Sequence, residues 1–185
     1  MQYSVSAKDV LRGEAEALLS GIALDTKFFA IKTGVRTFEA AAYLRRMGAD
    51  TVEVKTLFQN DFKDYLEKNR IVENAVVRFG RVAISRMDHE VSRAVAGQAA
   101  DEMLSIAGIK GSAVLFLCDG QVFISARSMG QINMQVIMEK LGGGGSLTNA
   151  GAQLKDTTVS EAEARLLDAL KEYFEEEGGK AGALR

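Results

Sequence analysis

From Val10 to Ile22 the apolar residues Val10, Leu11, Ala15, Leu18, Leu19 and Ile22 recur at three- and four-residue intervals. That period belongs to a helix with one buried face, predicted over KDVLRGEAEALLSGIALD and ending near Asp25. RTFEAAAYLRRMGAD repeats it through Phe38, Ala41, Ala42 and Leu44, with Gly48 placed for a left-handed C-terminal cap. Asp50 followed by Glu53 predicts a capping box for a short helix, and NDFKDYLEKNRIVE carries a polar helix to about residue 73. Near residue 75 the period changes to two. AVVRFG and RVAISR read as strands around Gly80, and SAVLFLC and QVFISAR flank Asp119-Gly120, a strong hairpin-turn signal. Between these pairs AVAGQAADEMLSIAG reads as a helix ending at Gly108. GQINMQVIMEKLG is the next helix, and its methionines are core filler. Ser160 and Glu163 predict a capping box for SEAEARLLDALKEYFEEE, ahead of a frayed tail, GGKAGALR.

The pattern predicts a mixed α/β (α+β) fold: an all-helical part over residues 1–74, a domain with a small sheet packed by helices over 75–178, and a disordered tail over 179–185. A chain of 185 residues, 47% of them hydrophobic, can bury one good core or two small ones. A net charge of −2 gives no global basic field, which excludes tight, sequence-independent holding of long nucleic acid and leaves a small charged ligand. Cys118 is the single cysteine, and AVLFLCDG surrounds it as a buried strand, so it is inert core in a reducing, cytoplasmic setting. No apolar run is long enough to span a bilayer, and MQYSVSAKD lacks the features of a signal peptide.

Four glycines, Gly142, Gly143, Gly144 and Gly145, stand between IMEKL and LTNAGAQL. Flanks this apolar pack, so the run reads as a loop that approaches something closely rather than a linker, with a simple turn as the alternative. Without Cβ atoms, successive amides can turn inward as an anion-binding concavity, with Ser146 or Thr148 capping a helix behind it and Thr148 and Asn149 adding donors. Arg127, next to Ser128 in ISARS, could bring a guanidinium fork to the same phosphate; the alternative is an ion-paired surface arginine. Asp25 is either a helix-ending aspartate bonded to local amides or a metal-binding carboxylate. Asp88-His89-Glu90 reads as solvated strand-end residues, because adjacent strand side chains diverge and there is no second histidine.

GIALDTKFF, KTGVRTFEAAAYLRRMGAD and ISARSMGQINMQVIMEKLGGGGSLTNAGAQL, in that order, resemble the C-terminal half of the DHH-DHHA1 phosphoesterases, closest to the bacterial cyclic-di-AMP phosphodiesterases. The likeness runs from about residue 10 to about residue 175. It implies the last helices of a DHH domain followed by a whole DHHA1 domain, from a two-metal enzyme, usually with Mn2+, that cuts cyclic-di-AMP to pApA. It also implies that Asp25 is the family's last metal-ligand aspartate. Arg127, Ser128, Asn133 and the loop Gly142–Gly145 fall on the substrate-gripping segment, which Ser146, Thr148 and Asn149 continue. The partner is then a cyclic dinucleotide or short oligonucleotide, never long nucleic acid. Two departures stand out. The other metal ligands of the family precede the Asp-Thr-Lys motif, where this sequence has no histidine and one aspartate, Asp9; the chain alone is therefore expected to be inactive and not to hold Mn2+ tightly. Ser146 replaces the histidine that usually follows the glycines, which removes a positive charge from the phosphate grip. The resemblance further implies apolar helical faces over residues 1–70 that would drive association, a homodimer included, and a parent protein anchored in the membrane only through upstream segments. A non-catalytic nucleotide- or phosphate-binding module and a short-oligoribonucleotide hydrolase of the same superfamily are the alternatives.

Overall fold

The computed structural model describes residues 10–183, with side chains through residue 176; the stretch MQYSVSAKD with Asp9 and the last two residues of the tail lie outside the described residues. The chain divides into two compact units, Met1–Asn60 and Asp61–Arg185. In the first, helices α1 (Arg12–Asp25), α2 (Val35–Arg46) and α3 (Thr51–Thr56) close on Ala15, Leu19, Leu44, Ala49 and Val54. The end of α2 is set by Gly48 at φ +97°: its N–H donates to the Arg45 carbonyl and that of Ala49 to the Leu44 carbonyl, the paired bonds of a Schellman cap. Asp50 caps α3 by accepting the Val52 N–H at 2.8 Å. The second half of the expected box is different: the Asp50 N–H donates to Glu16 of α1 rather than to Glu53.

The second unit opens with α4 (Phe62–Glu73), so it begins ahead of the change in period near residue 75. The reason is packing: Ile71 is fully buried among residues of the sheet and the next helix, and the Ile71 carbonyl accepts the buried Ser85 hydroxyl at 2.6 Å. Strands β1 (Val76–Arg78) and β2 (Val82–Glu90) join through Phe79 and Gly80, both at positive φ. Then come α5 (Arg93–Met103), β3 (Gly111–Cys118), β4 (Gln121–Ser128), α6 (Met134–Glu139), β5 (Gly144–Gly145), β6 (Asn149–Leu154) and α7 (Val159–Ala183). Asp119 and Gly120 make the β3–β4 turn, both at positive φ, as two-residue hairpins require.

The six strands lie in the order β1-β2-β3-β4-β6-β5. Only β2 and β3 are parallel, with α5 as the crossover. Strand alternation divides the core: Ala83, Val114, Phe116 and Phe123 meet α4 and α5 on one face, while Ile84, Leu115, Ile124 and Ala126 meet α6 and α7 on the other. The mixed sheet packed by helices is the expected architecture.

Several element ends differ from expectation. α5 stops at Met103, and turns carry the chain to Gly108. α6 starts at Met134 because Asn133 caps it, its Oδ1 accepting the Val136 N–H at 3.4 Å. The box opening α7 is Thr158 with Glu161: each side chain takes the other residue's amide. Ser160 and Glu163 instead both receive Arg86 Nη1, at 3.2 and 3.1 Å. α7 continues to Ala183 through the stretch expected to fray, since an established helix propagates one bond per residue even past glycine. Among the described residues no helix is long and apolar enough to cross a membrane.

Candidate functional site

Arg127 lies near the end of β4 on the face covered by α5, and Ser128, its neighbour, turns to the opposite face. The Arg127 side chain is 20% exposed. Its Nη1 donates to Ser125 Oγ at 3.2 Å and to the Ala126 carbonyl at 2.9 Å, and its Nε lies 3.7 Å from Asp101 Oδ2 on α5. Gly97, one turn before Asp101, leaves room for the guanidinium: a Cβ there would lie 3.0 Å from Nη2. Exposed Asn149 stands opposite Arg127 in the β4–β6 register. Sequence reasoning missed Ser125, Asp101 and Gly97. The available signals were the i, i+2 spacing of Ser125 and Arg127 on one strand face and the i, i+4 spacing of Gly97 and Asp101 on one helix face.

The glycine run comes close to its own chain. Gly142, at φ +78°, ends α6: its N–H donates to the Glu139 carbonyl and that of Gly143 to the Met138 carbonyl. A Cβ on Gly143 would overlap the Gly151 carbonyl, and one on Gly145 would sit 2.5 Å from Ala150 Cα. Gly144 and Gly145 then pair with Gly151 and Ala150 as the edge strand. No helix starts behind the glycines. Ser146 closes the β5–β6 turn instead, its N–H donating to the Asn149 carbonyl at 2.7 Å and its Oγ accepting the Asn149 N–H at 3.2 Å. The amides of Gly142, Gly143 and Ser146 are committed to carbonyls of the chain, so these three are not donors free for an anion. Its turn end lies two strands from Arg127, about 10 Å across the sheet.

Ser128 is buried, its Oγ placed 2.7 Å from the Ile132 carbonyl and 3.1 Å from the Leu147 carbonyl while accepting the Gly130 N–H. It ties the 129–133 loop to the β5–β6 turn, and the Thr148 carbonyl accepts the Ser128 N–H. Asn133, besides capping α6, donates its N–H to the Tyr173 hydroxyl and lines a cavity of about 330 Å³ with Gly130, Leu147, Val136, Tyr173 and Glu176. Thus Arg127 and Asn149 share one face, whereas Ser128 and Asn133 brace the loops around it.

In the first unit, Asp25 ends α1 with its side chain 77% exposed, 3.8 Å from Lys32 Nζ. The next residues hold an uncommon backbone: Lys27, Phe28 and Phe29 all have φ between +46° and +67°, at a cost of roughly 1–2 kcal/mol per residue. Thr26 braces the turn, its Oγ1 donating to the Ile22 carbonyl and accepting the Phe29 N–H. Asp88, His89 and Glu90 are exposed at the end of β2; His89 Nε2 meets Glu67 at 2.6 Å, and Glu90 takes the Asp119 and Gly120 amides at 3.1 Å each. Among the described residues no three His, Cys, Asp or Glu side chains are grouped to hold a metal ion. Asp25 by itself does not fit a two-cation centre, which needs several oxygen and nitrogen ligands.

The second unit is thus a mixed sheet with helices on both faces, carrying one braced arginine on β4 and a glycine edge strand two positions further along. Residues 79–176 match the model of the DHHA1 domain, and the chain belongs to that family. It is 48% identical over 179 residues to the cyclic-di-AMP phosphodiesterase PdeA of Listeria monocytogenes, covering 95% of this chain and 27% of that protein. It is 49% identical over 170 residues to the cyclic-di-AMP phosphodiesterase GdpP of Geobacillus thermodenitrificans, covering 90% and 26%. The chain thus spans about a quarter of the length of these relatives. The fold resembles an exopolyphosphatase-related protein of Bacteroides fragilis, with a TM-score of 0.82 at 20% identity over 90% of this chain and 52% of that one.

Proposed function

We propose that this chain supplies the substrate-gripping part of a metal-dependent phosphodiesterase acting on cyclic-di-AMP, with pApA as product. The first compact unit, ending at Asn60, is read as the helical end of a DHH domain and Asp25 as one of its metal-ligating carboxylates. The observation that carries the grip is Arg127: a guanidinium braced on a sheet beside Asn149 through Nη1 and Nε, able to meet a phosphate with a charge-assisted hydrogen bond from Nη2. The substrate class rests on the relatives' names. Ser146 contributes little to phosphate, because its hydroxyl and amide are both engaged in the β5–β6 turn. As Asp25 does not make a two-cation site, no hydrolytic step is assigned to this chain, which binds without cutting.

Two measurements test this reading. Incubation of the purified chain with Mn2+ and cyclic-di-AMP should yield no pApA, and multiple turnover would refute it. Calorimetry without metal should detect pApA and cyclic-di-AMP in preference to a short oligoribonucleotide, with Arg127→Ala abolishing the signal. Gly144→Ala refines the second test: a Cβ at Gly144 meets no protein atom within 4 Å, so a loss of affinity there places the ligand against β5.

A further inference from the structure

We propose that Asp101 and Ser125 are positioning residues for Arg127, fixing the guanidinium before any ligand arrives; the proposal rests on the reading that Arg127 meets phosphate. A free arginine on a sheet surface must be ordered when it binds, which weakens affinity. Arg127 is held from two elements. Ser125 Oγ and the Ala126 carbonyl occupy Nη1 from β4, at 3.2 and 2.9 Å, and the Asp101 carboxylate faces Nε from α5 at 3.7 Å. Gly97 makes this geometry accessible by leaving the guanidinium against bare helix backbone, with 3.0 Å between Nη2 and where a Cβ would be.

A second role for Asp101 would produce the opposite sign. A carboxylate beside a phosphate site repels the ligand and competes for the arginine, so a merely neutralising Asp101 would make Asp101→Asn bind more tightly. Positioning predicts weaker binding. The geometry favours positioning: with Nη1 tied to β4, the Asp101 carboxylate attracts the Nε end of the group toward α5. At 3.7 Å, the pair orders the side chain without the short contact that would lock both charges together.

The test uses the full chain and pApA. Asp101→Asn should weaken binding about 5- to 10-fold and Ser125→Ala about 3-fold, the scale of ordering one long side chain. Asp101→Glu should restore part of the loss. Melting temperatures should stay within about 2 °C of the parent, since a partly exposed ion pair contributes little stability. In an Arg127→Ala background Asp101→Asn should have no further effect. Unchanged or tighter pApA binding by Asp101→Asn, where Arg127→Ala has lost it, overturns the proposal and leaves the phosphate reading standing. Should Arg127→Ala bind like the parent, the phosphate reading falls. Nitrogen-15 relaxation of Arg127 Nε, recorded without ligand, then judges positioning alone: an ordered group loosened by Asp101→Asn supports it, and equal mobility overturns it.

Discussion

Gly143 and Gly144 are neighbours with different physical duties. A methyl on Gly143 would enter the β6 backbone, 2.7 Å from Ala152 Cα, and a paired strand has no rotamer to yield. Gly143→Ala should therefore destabilise the chain by about 1–3 kcal/mol in denaturant unfolding. Gly144 has open space and no positive φ, so Gly144→Ala should be neutral or stabilise by about 0.4–1 kcal/mol through the unfolded chain. Equal effects at the two positions would contradict the close-approach account. That the run approaches something was legible in its apolar flanks. That the something is β6 was not, because pairing partners are nonlocal and a two-residue strand leaves no period to read. Arg127 was legible as a candidate, but its bracing was not: Asp101 lies 26 positions away on another element, across a strand register that only the fold defines.

Element ends show a similar limit. The Asp119-Gly120 turn and the Gly48 cap were readable because glycine chemistry is local to them. The α7 cap was misplaced by two residues because TVSEAE offers Ser160-Glu163 and Thr158-Glu161 at the same spacing, and Arg86, 74 positions before Ser160, claims the first pair. The Thr158-Glu161 box has a pH consequence. The Thr158 backbone N–H, then the Thr158 and Thr157 hydroxyls, hold the Glu161 carboxyl below its usual range. A depressed folded pKa gives stability that is present above the unfolded value of about 4.3 and is lost as pH falls through the lower, folded one. Glu161→Gln should flatten the acid limb below about pH 4.3 in thermal melts, leaving the limb near neutrality unchanged in slope. An acid limb identical to the parent's would remove Glu161 from the account.

At the scale of the whole chain, the change from helical to strand period near residue 75 and the start of the second compact unit at Asp61 are separate facts, and they predict different behaviour for two truncations. Residues 61–185 hold both large clusters of buried side chains and all six strands of the described residues, so this piece should fold cooperatively and keep the pApA affinity of the full chain. A piece beginning at residue 75 lacks α4. It strips fully buried Ile71 from Ala99, Met103 and their neighbours, and leaves the buried Ser85 hydroxyl without the Ile71 carbonyl. Loss of the apolar cover and an unmet buried hydroxyl together should cost about 3–6 kcal/mol, a large share of what holds a domain of this size. The shorter piece should therefore unfold at much lower denaturant or aggregate, while the longer shows a single transition. Periodicity cannot reveal this, since α4 looks like a solvent-facing helix in which one residue, Ile71, carries the buried face. If the two pieces prove equally stable by urea unfolding, α4 is not part of the second core, and the boundary belongs where the period changes.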